Sequence, residues 1–238
     1  MNIGIIGSDG FLGKNLVSTF RNYNVIEITK PNYNSLVNHQ FDVLINSNGN
    51  SKKFWANQNP IEDFVLSTHS VYRSLFDFKC ETYIYISSLD VYKNHAYGFN
   101  KKLSEQIVKK FHKKYLILRC GSIFGNNMKK GVLYDILSGN KQFLTSDSKL
   151  QFISCEEIGH IIHKLIKLNI HKKTFNLCGI GNISVKEIGQ LLGKPVVYND
   201  KLEKQFFDYS PDKILKYYQI KTTTEYIKAI KEANERME

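Results

Sequence analysis

The chain opens on an apolar run, Ile3, Ile5 and Ile6, that ends in Gly7, and from Leu12 onward Leu12, Leu16 and Phe20 recur at helical spacing. That pattern predicts a strand, a glycine turn and a helix. The alternation continues: residues 25–28 and 43–45 read as strands, and residues 61–78 carry the apolar spacing of a crossover helix. Residues 83–86 read as a further strand, 102–114 as a helix with Leu103, Ile107 and Phe111 on one face, and 116–118 as another strand. Strand-helix units in series predict an α/β fold, a parallel doubly wound sheet with right-handed crossovers. Beyond about Phe124 the rhythm changes. Helices are expected over 132–137, 158–168 and 184–192, strands over 174–177 and 195–198, and terminal helices near 211–218 and 224–235. Ser184 followed by Glu187 has the spacing of a capping box.

At 238 residues the chain can bury a good core, as a main domain with a smaller appended lobe. We set the boundary near Gly125, with residues 1–125 as the Rossmann-type domain and 126–238 as a small C-terminal lobe that partly returns to the main sheet. Its apolar and charged fractions, 42% and 23%, are those of an ordinary globular protein. The first residues run straight into the glycine turn, with no basic leader and no apolar stretch long enough to cross a bilayer, so a cytoplasmic protein without membrane partners is expected. A net charge of +11 is spread over doublets such as Lys52-Lys53, Lys109-Lys110, Lys129-Lys130 and Lys172-Lys173. Without one basic block interleaved with aromatics, nucleic acid is not the expected partner, although the field would draw in a diphosphate. Cys80, Cys120, Cys155 and Cys178 form no Cys-x-x-Cys pair and read as reduced thiols; His160 and His163 share a helix face without a third ligand, so no metal is expected.

Gly7-Ser8-Asp9-Gly10-Phe11-Leu12-Gly13 has the spacing G-x-x-G-x-x-G between the first strand and the first helix. In that position glycines let the backbone turn tightly and approach a pyrophosphate, whose charge rests on the free amides and dipole of the helix start. The end of the second strand reads Ile28-Thr29-Lys30, with a lysine in place of the carboxylate that would hold the ribose hydroxyls of NAD. Thr29 and Lys30 therefore tilt the cofactor toward NADP, with NAD as the alternative. Asn46-Ser47-Asn48-Gly49, after the third strand, is expected to line the cofactor through its backbone.

Tyr97 and Lys101 lie one helical turn apart on a common face. An ammonium beside a phenol favours the phenolate, which suits Tyr97 to proton transfer, and Lys101 is also placed to hold the nicotinamide ribose. Ser88 ends the strand of residues 83–86, where open α/β sheets bind ligands, and its hydroxyl suits an oxygen that gains charge as hydride moves. His95, close to Tyr97, is either a helper in proton transfer or an exposed loop histidine, and Trp55 with Phe54 either covers the site or packs.

With these motifs in chain order, the sequence resembles an extended short-chain dehydrogenase/reductase of the NAD-dependent epimerase/dehydratase family over nearly its whole length. Ser87-Ser88-Leu89-Asp90-Val91-Tyr92, the Tyr97–Lys101 pair and the segment 119–125 match the family's central stretches. Gln151-Phe152-Ile153 with Glu156-Glu157-Ile158, Phe175-Asn176-Leu177 and Ser184-Val185-Lys186-Glu187-Ile188 resemble its substrate lobe. The resemblance implies that Ser88 and Tyr97 engage the sugar hydroxyl or ketone, that Lys101 orients the cofactor, and that the late lobe grips a nucleoside-diphosphate sugar. It implies a role in carbohydrate biosynthesis and helical pairing into a homodimer. Two departures are plain. Where dehydratases carry an acidic pair, this chain has Leu89 and Asp90, which leaves Asp90 as the one catalytic carboxylate. Where an arginine commonly precedes Phe152, it has Lys149-Leu150-Gln151, so Lys149 and Gln151 stand as the substrate-binding residues beside Ser88, Leu89 and Tyr97. The expected activity is hydride transfer at a sugar carbon, by 4-keto reduction or 4-epimerisation. The alternatives are a 4,6-dehydratase and a catalytically idle NAD(P)-binding sensor or scaffold.

Overall fold

The computed structural model describes residues 1–235. In chain order its strands are β1 (Asn2–Ile6), β2 (Asn24–Ile28), β3 (Gln40–Asn46), β4 (Lys79–Ser88), β5 (Tyr115–Cys120), β6 (Ser122–Phe124), β7 (Lys149–Leu150), β8 (Phe152–Ser154), β9 (Lys173–Leu177) and β10 (Ile183–Ser184). The helices are α1 (Phe11–Thr19), α2 (Lys53–Gln58), α3 (Pro60–Phe64), α4 (Ser70–Asp77), α5 (Ala96–Phe111), α6 (Val132–Leu137), α7 (Cys155–Lys167), α8 (Val185–Leu192), α9 (Asp212–Leu215) and α10 (Thr223–Glu235). The fold is a Rossmann-type α/β fold, and the chain divides into two compact units: Met1–Cys120 with Gly159–Phe175, and Gly121–Ile158 with Asn176–Glu238. Among the described residues no helix is long and apolar enough to cross a membrane.

The first unit is built on a six-stranded sheet of order β2-β1-β3-β4-β5-β9, in which the pairs from β2 to β5 are parallel. The order reverses between β1 and β3. At such a switch point the loops leaving the two strands diverge, and open α/β sheets bind ligands in the crevice beyond the carboxyl ends. Parallel strands covered on both faces read as continuous apolar runs, as Ile3, Ile5 and Ile6 and residues 43–45 do. The core gathers Ile6, Ile28, Phe41, Leu44, Val71, Phe78, Tyr83, Tyr85, Val108 and Ile117.

One expectation for this unit needs correction. The crossover helix is interrupted: α3 and α4 are joined by a π-helical turn, Val65–His69, whose Ser67 and Thr68 are buried. In α5 the apolar residues Leu103 and Ile107 are half-buried, beside a buried side that is largely polar. Its buried side carries Tyr97, Gly98, Asn100, Lys101, Ser104, Glu105 and Val108, while Phe111 is half exposed. Burial of so polar a face is stable only because its groups find partners, described below.

In the second unit β6 pairs with β8 in parallel and β7 with β10 antiparallel. Helix α8 begins with the expected capping box, Ser184 accepting from the Glu187 amide and Glu187 accepting from the Ser184 amide. Phe152, Ile153, Val185, Ile188 and Ile227 are buried here, and the Tyr226 hydroxyl donates to Glu157. The strand expected over 195–198 does not form. Pro195 has no N–H to give, and in place of a ladder Val197 accepts from the Gln142 amide and the next residue, Asn199, donates to Leu144 O.

Candidate active site

Gly7 leaves β1 with φ +78°, a conformation that costs glycine nothing, and its N–H donates to Ile28 O at 2.8 Å. Gly10 N–H returns to Gly7 O at 3.0 Å, and a Cβ on Gly13 would overlap that same carbonyl oxygen. Helix α1 can therefore start against the end of β1 only with glycine at position 13. Gly10 is its N-cap and supplies no side-chain cap, so the helix start keeps amides for an external acceptor. On the other side of the switch point, a Cβ on Gly7 would lie 3.1 Å from the Asn48 backbone. That loop is held from beneath. Asn46 Nδ2 donates to Tyr83 OH at 2.7 Å and to Ser74 Oγ at 3.2 Å, its Oδ1 accepts from Asn48 N at 3.0 Å, and Ser47 Oγ donates to Ile6 O at 2.8 Å. Gly7 to Gly13 and Asn46 to Asn48 thus converge. Ser8 Oγ is buried there without a hydrogen-bond partner among the described residues, and Asp9 is exposed. A glycine cradle, an uncapped helix start and an orphaned hydroxyl fit the pyrophosphate of a dinucleotide. After β2, the Thr29 amide and hydroxyl both bond to Asn32 Oδ1, at 2.7 and 3.1 Å, and Lys30 is exposed.

Tyr97 and Lys101 stand on the buried side of α5, 8% and 6% exposed. The Lys101 ammonium lies 6.0 Å from the centre of the Tyr97 ring and 5.3 Å from that of Tyr85, and reaches Ile86 O at 3.5 Å. Sequence reasoning expects this ammonium to make Tyr97 acidic. In the protein alone the ammonium acts in that direction but is outweighed. Burial is the largest influence and pushes the phenol up to about 12; Lys101 opposes it, while Asp90, Tyr85 and Asp63 add to it.

Ser88 ends β4 and its Oγ donates to Asp90 Oδ2 at 3.1 Å. Asp90 Oδ1 meets Lys53 Nζ at 3.1 Å and His95 Nε2 at 3.2 Å. Burial alone would raise the Asp90 pKa, but the bond from His95 and the Lys53 ammonium outweigh it and hold the carboxyl below its ordinary value. Leu89 is buried. Its neighbour Ser87 has a different task, donating to Glu105 Oε1 at 2.7 Å. Glu105 is clamped by Arg119 through two bonds, at 2.8 and 2.6 Å, and Arg119 also donates to Tyr92 OH at 2.6 Å. Trp55 is half-buried and Phe54 exposed.

Asp63, which sequence reasoning passes over, is fully buried and accepts from Asn50 Nδ2 at 3.0 Å, Ser67 Oγ at 3.2 Å and Asn100 Nδ2 at 2.8 Å. It ties the loop after β3, the π turn and the residue before Lys101 into one knot. Nothing local marks it in the sequence, because its partners come from three separate segments.

Lys149 and Gln151 belong to the second unit. The Gln151 amide is spent on the backbone: Nε2 donates to Gly179 O at 3.0 Å and Tyr209 O at 2.9 Å, and Oε1 accepts from Tyr209 N at 2.8 Å. Lys149 lines an open depression with Ser146, Asp147, Ser184, Lys186 and Lys204.

No protein-family profile matches the chain, and no curated protein matches it in sequence. Solved structures match its fold over nearly the full length. A UDP-galactose 4-epimerase superposes with a TM-score of 0.82 at 16% identity, covering 100% of this chain and 99% of its own. A dTDP-4-dehydrorhamnose reductase from Bacillus anthracis, in complex with NADP, gives 0.78 at 17% identity over 95% and 97%. A dTDP-glucose 4,6-dehydratase from the same organism, in complex with NAD, gives 0.71 at 16% over 99% and 97%. Likeness at these identities establishes the fold.

Proposed function

We propose that the chain belongs to the NAD-dependent epimerase/dehydratase family and is an NAD(P)-dependent enzyme that reduces or epimerises a nucleotide-linked sugar at C4, acting in the cytoplasm. The observation that carries the reading is the placement of Tyr97, Lys101 and Ser88 in the same unit as the glycine cradle. The similar solved enzymes act on UDP- and dTDP-sugars by their names, and two of them hold NADP or NAD. A bound nicotinamide would supply or accept the hydride. It would be held by the backbone from Gly7 to Gly13 and from Asn46 to Asn48, with Lys101 beside its ribose and Thr29 and Lys30 toward the adenosine end.

Of the two reactions we favour ketone reduction, with NADPH as the reductant. The lysine at position 30, where a carboxylate would hold the ribose of NAD, tilts the choice toward NADPH and so toward reduction, in which Tyr97 would deliver a proton to the oxygen that gains charge. Ser88 would stabilise the same oxygen by exchanging its present acceptor, Asp90 Oδ2, for the substrate. Dehydration is the weaker reading, since it needs carboxylates free to move protons and both oxygens of Asp90 are engaged. Lys149, in the open depression of the second unit, is our choice for a contact to the substrate diphosphate. Residues 1–125 would then serve the cofactor and 126–238 the sugar nucleotide. A homodimer is supported by the apolar side that α5 and α4 leave uncovered, where the rings of Tyr72, Phe76 and Phe111 pack together, 4.9 to 5.5 Å apart, while each stays about half exposed.

The test is a cofactor titration by fluorescence, followed by turnover with a panel of nucleotide sugars and their 4-keto forms. Net consumption of NADPH identifies a reductase, and product without net cofactor change an epimerase. Cofactor binding with neither marks a sensor or scaffold and defeats the enzymatic reading. Affinity for NAD equal to or above that for NADP removes Lys30 from the site.

A further inference from the structure

Only eight residues separate Ser88 from Tyr97, and among them Asp90 and His95 are bonded to each other. His95 is the N-cap of α5, and its Nδ1 accepts the Gly98 N–H at 3.0 Å. A neutral imidazole carries one proton, and a ring nitrogen that accepts from an amide does not hold it. The proton therefore sits on Nε2, which donates to Asp90 Oδ1 at 3.2 Å. The other claims on that carboxylate are Lys53 at 3.1 Å and the Ser88 hydroxyl at 3.1 Å. Gly98 completes the junction: a Cβ there would overlap the Asp90 carbonyl oxygen, so the first turn of α5 rests directly on the backbone of the turn Leu89–Tyr92. The intervening amide, that of Tyr97 itself, donates to Asn57 Oδ1 at 3.2 Å.

We infer that Asp90 and His95 are positioning residues for Tyr97: Asp90 fixes His95 in its Nε2–H tautomer, and His95 in that tautomer caps the helix turn from which the phenol projects. Asp90, with both oxygens spent on Lys53, His95 and Ser88, then works through the helix rather than on the sugar. What the capped turn is for rests on the proposed function; that His95 caps it, and in which tautomer, does not.

The test uses the full chain. Nitrogen-15 NMR of the histidines should find His95 with Nε2 protonated and Nδ1 bare. In His95→Ala the Gly98 amide should exchange with solvent roughly fivefold faster, the effect of losing an N-cap, and His95→Asn should bring it back toward the native rate because asparagine also accepts from a first-turn amide. Asp90→Ala, by freeing Nε2, should admit the Nδ1–H tautomer and speed Gly98 exchange toward the His95→Ala rate. With a 4-keto nucleotide sugar and NADPH, His95→Ala should lose roughly tenfold in kcat with KM within about twofold, and His95→Asn should recover most of it. An imidazole that shuttles protons would leave His95→Asn as slow as His95→Ala, which overturns the inference. So does a native Nδ1–H tautomer, or a Gly98 amide indifferent to His95→Ala. If the native protein turns over no nucleotide sugar, the functional reading fails, and the tautomer and exchange measurements still decide this one.

Discussion

Tyr97 shows how far spacing reaches and where it stops. That Tyr97 and Lys101 share a face follows from four residues of helix, and that Gly7, Gly10 and Gly13 can wrap a pyrophosphate follows from a turn between strand and helix, so both were legible in the sequence. The direction of the Tyr97 pKa was not, because it is set by burial among Asp90, Tyr85 and Asp63, which no local pattern encodes. Two predictions belong at this scale. Tyr97→Phe should cost roughly 10²–10⁴ in kcat, the usual worth of a positioned acid, while the NADPH dissociation constant from a fluorescence titration stays within about twofold. Gly13→Ala should do the opposite kind of damage: the added methyl meets the Gly7 carbonyl oxygen, so α1 must shift, and NADPH affinity in the same titration should fall by about tenfold or more.

Helix α5 carries the lesson at the level of elements. Its existence and the shared face of Leu103, Ile107 and Phe111 were readable, but most of the polar residues buried beside that face were not, since periodicity ranks residues by apolarity and has no view of partners. The polar side is inside because its groups are met from elsewhere: Glu105 by Arg119 and Ser87, the Asn100 side chain by Asp63, and the Asn100 carbonyl by Thr68. The π turn of residues 65–69 has the same origin, since it brings Ser67 to Asp63 and Thr68 to Asn100. Such a face should be fragile to single deletions. Glu105→Ala strands the Arg119 guanidinium and the Ser87 hydroxyl and should cost about 3–5 kcal/mol in urea unfolding, whereas an exposed pair such as Lys114–Glu81 should give at most about 1 kcal/mol when Glu81 is replaced by alanine. In the second unit the capping box of α8 was legible from Ser184 and Glu187 alone, while β6 and β8 were missed because strands of three residues carry too few positions to show a period.

At the scale of the whole molecule, the series of strands and helices sufficed to predict a Rossmann-type sheet, and its order, with the switch point between β1 and β3, came only from the structure. The proposed dimer is testable here: Phe111→Lys places a charge among Tyr72, Phe76 and Phe111, and sedimentation should find a dimer in the native protein and a monomer in the variant. Alkaline stability follows from the buried phenols. Burial raises Tyr83, Tyr85 and Tyr97 above the ordinary phenol value of about 10, so their contribution is complete below that pH and is lost as pH climbs through the folded values. Melting temperature should therefore decline above about pH 10, with these phenols ionising together with unfolding in an absorbance titration. The central claim is that Tyr97 hands its proton to a sugar ketone as a nicotinamide reduces it. Its most direct test is a single-turnover experiment with NADPH and a 4-keto nucleotide sugar, read as loss of reduced-nicotinamide absorbance in the native protein and in Tyr97→Phe. The account predicts rapid loss in the first and nearly none in the second; equal rates in the two proteins would contradict it.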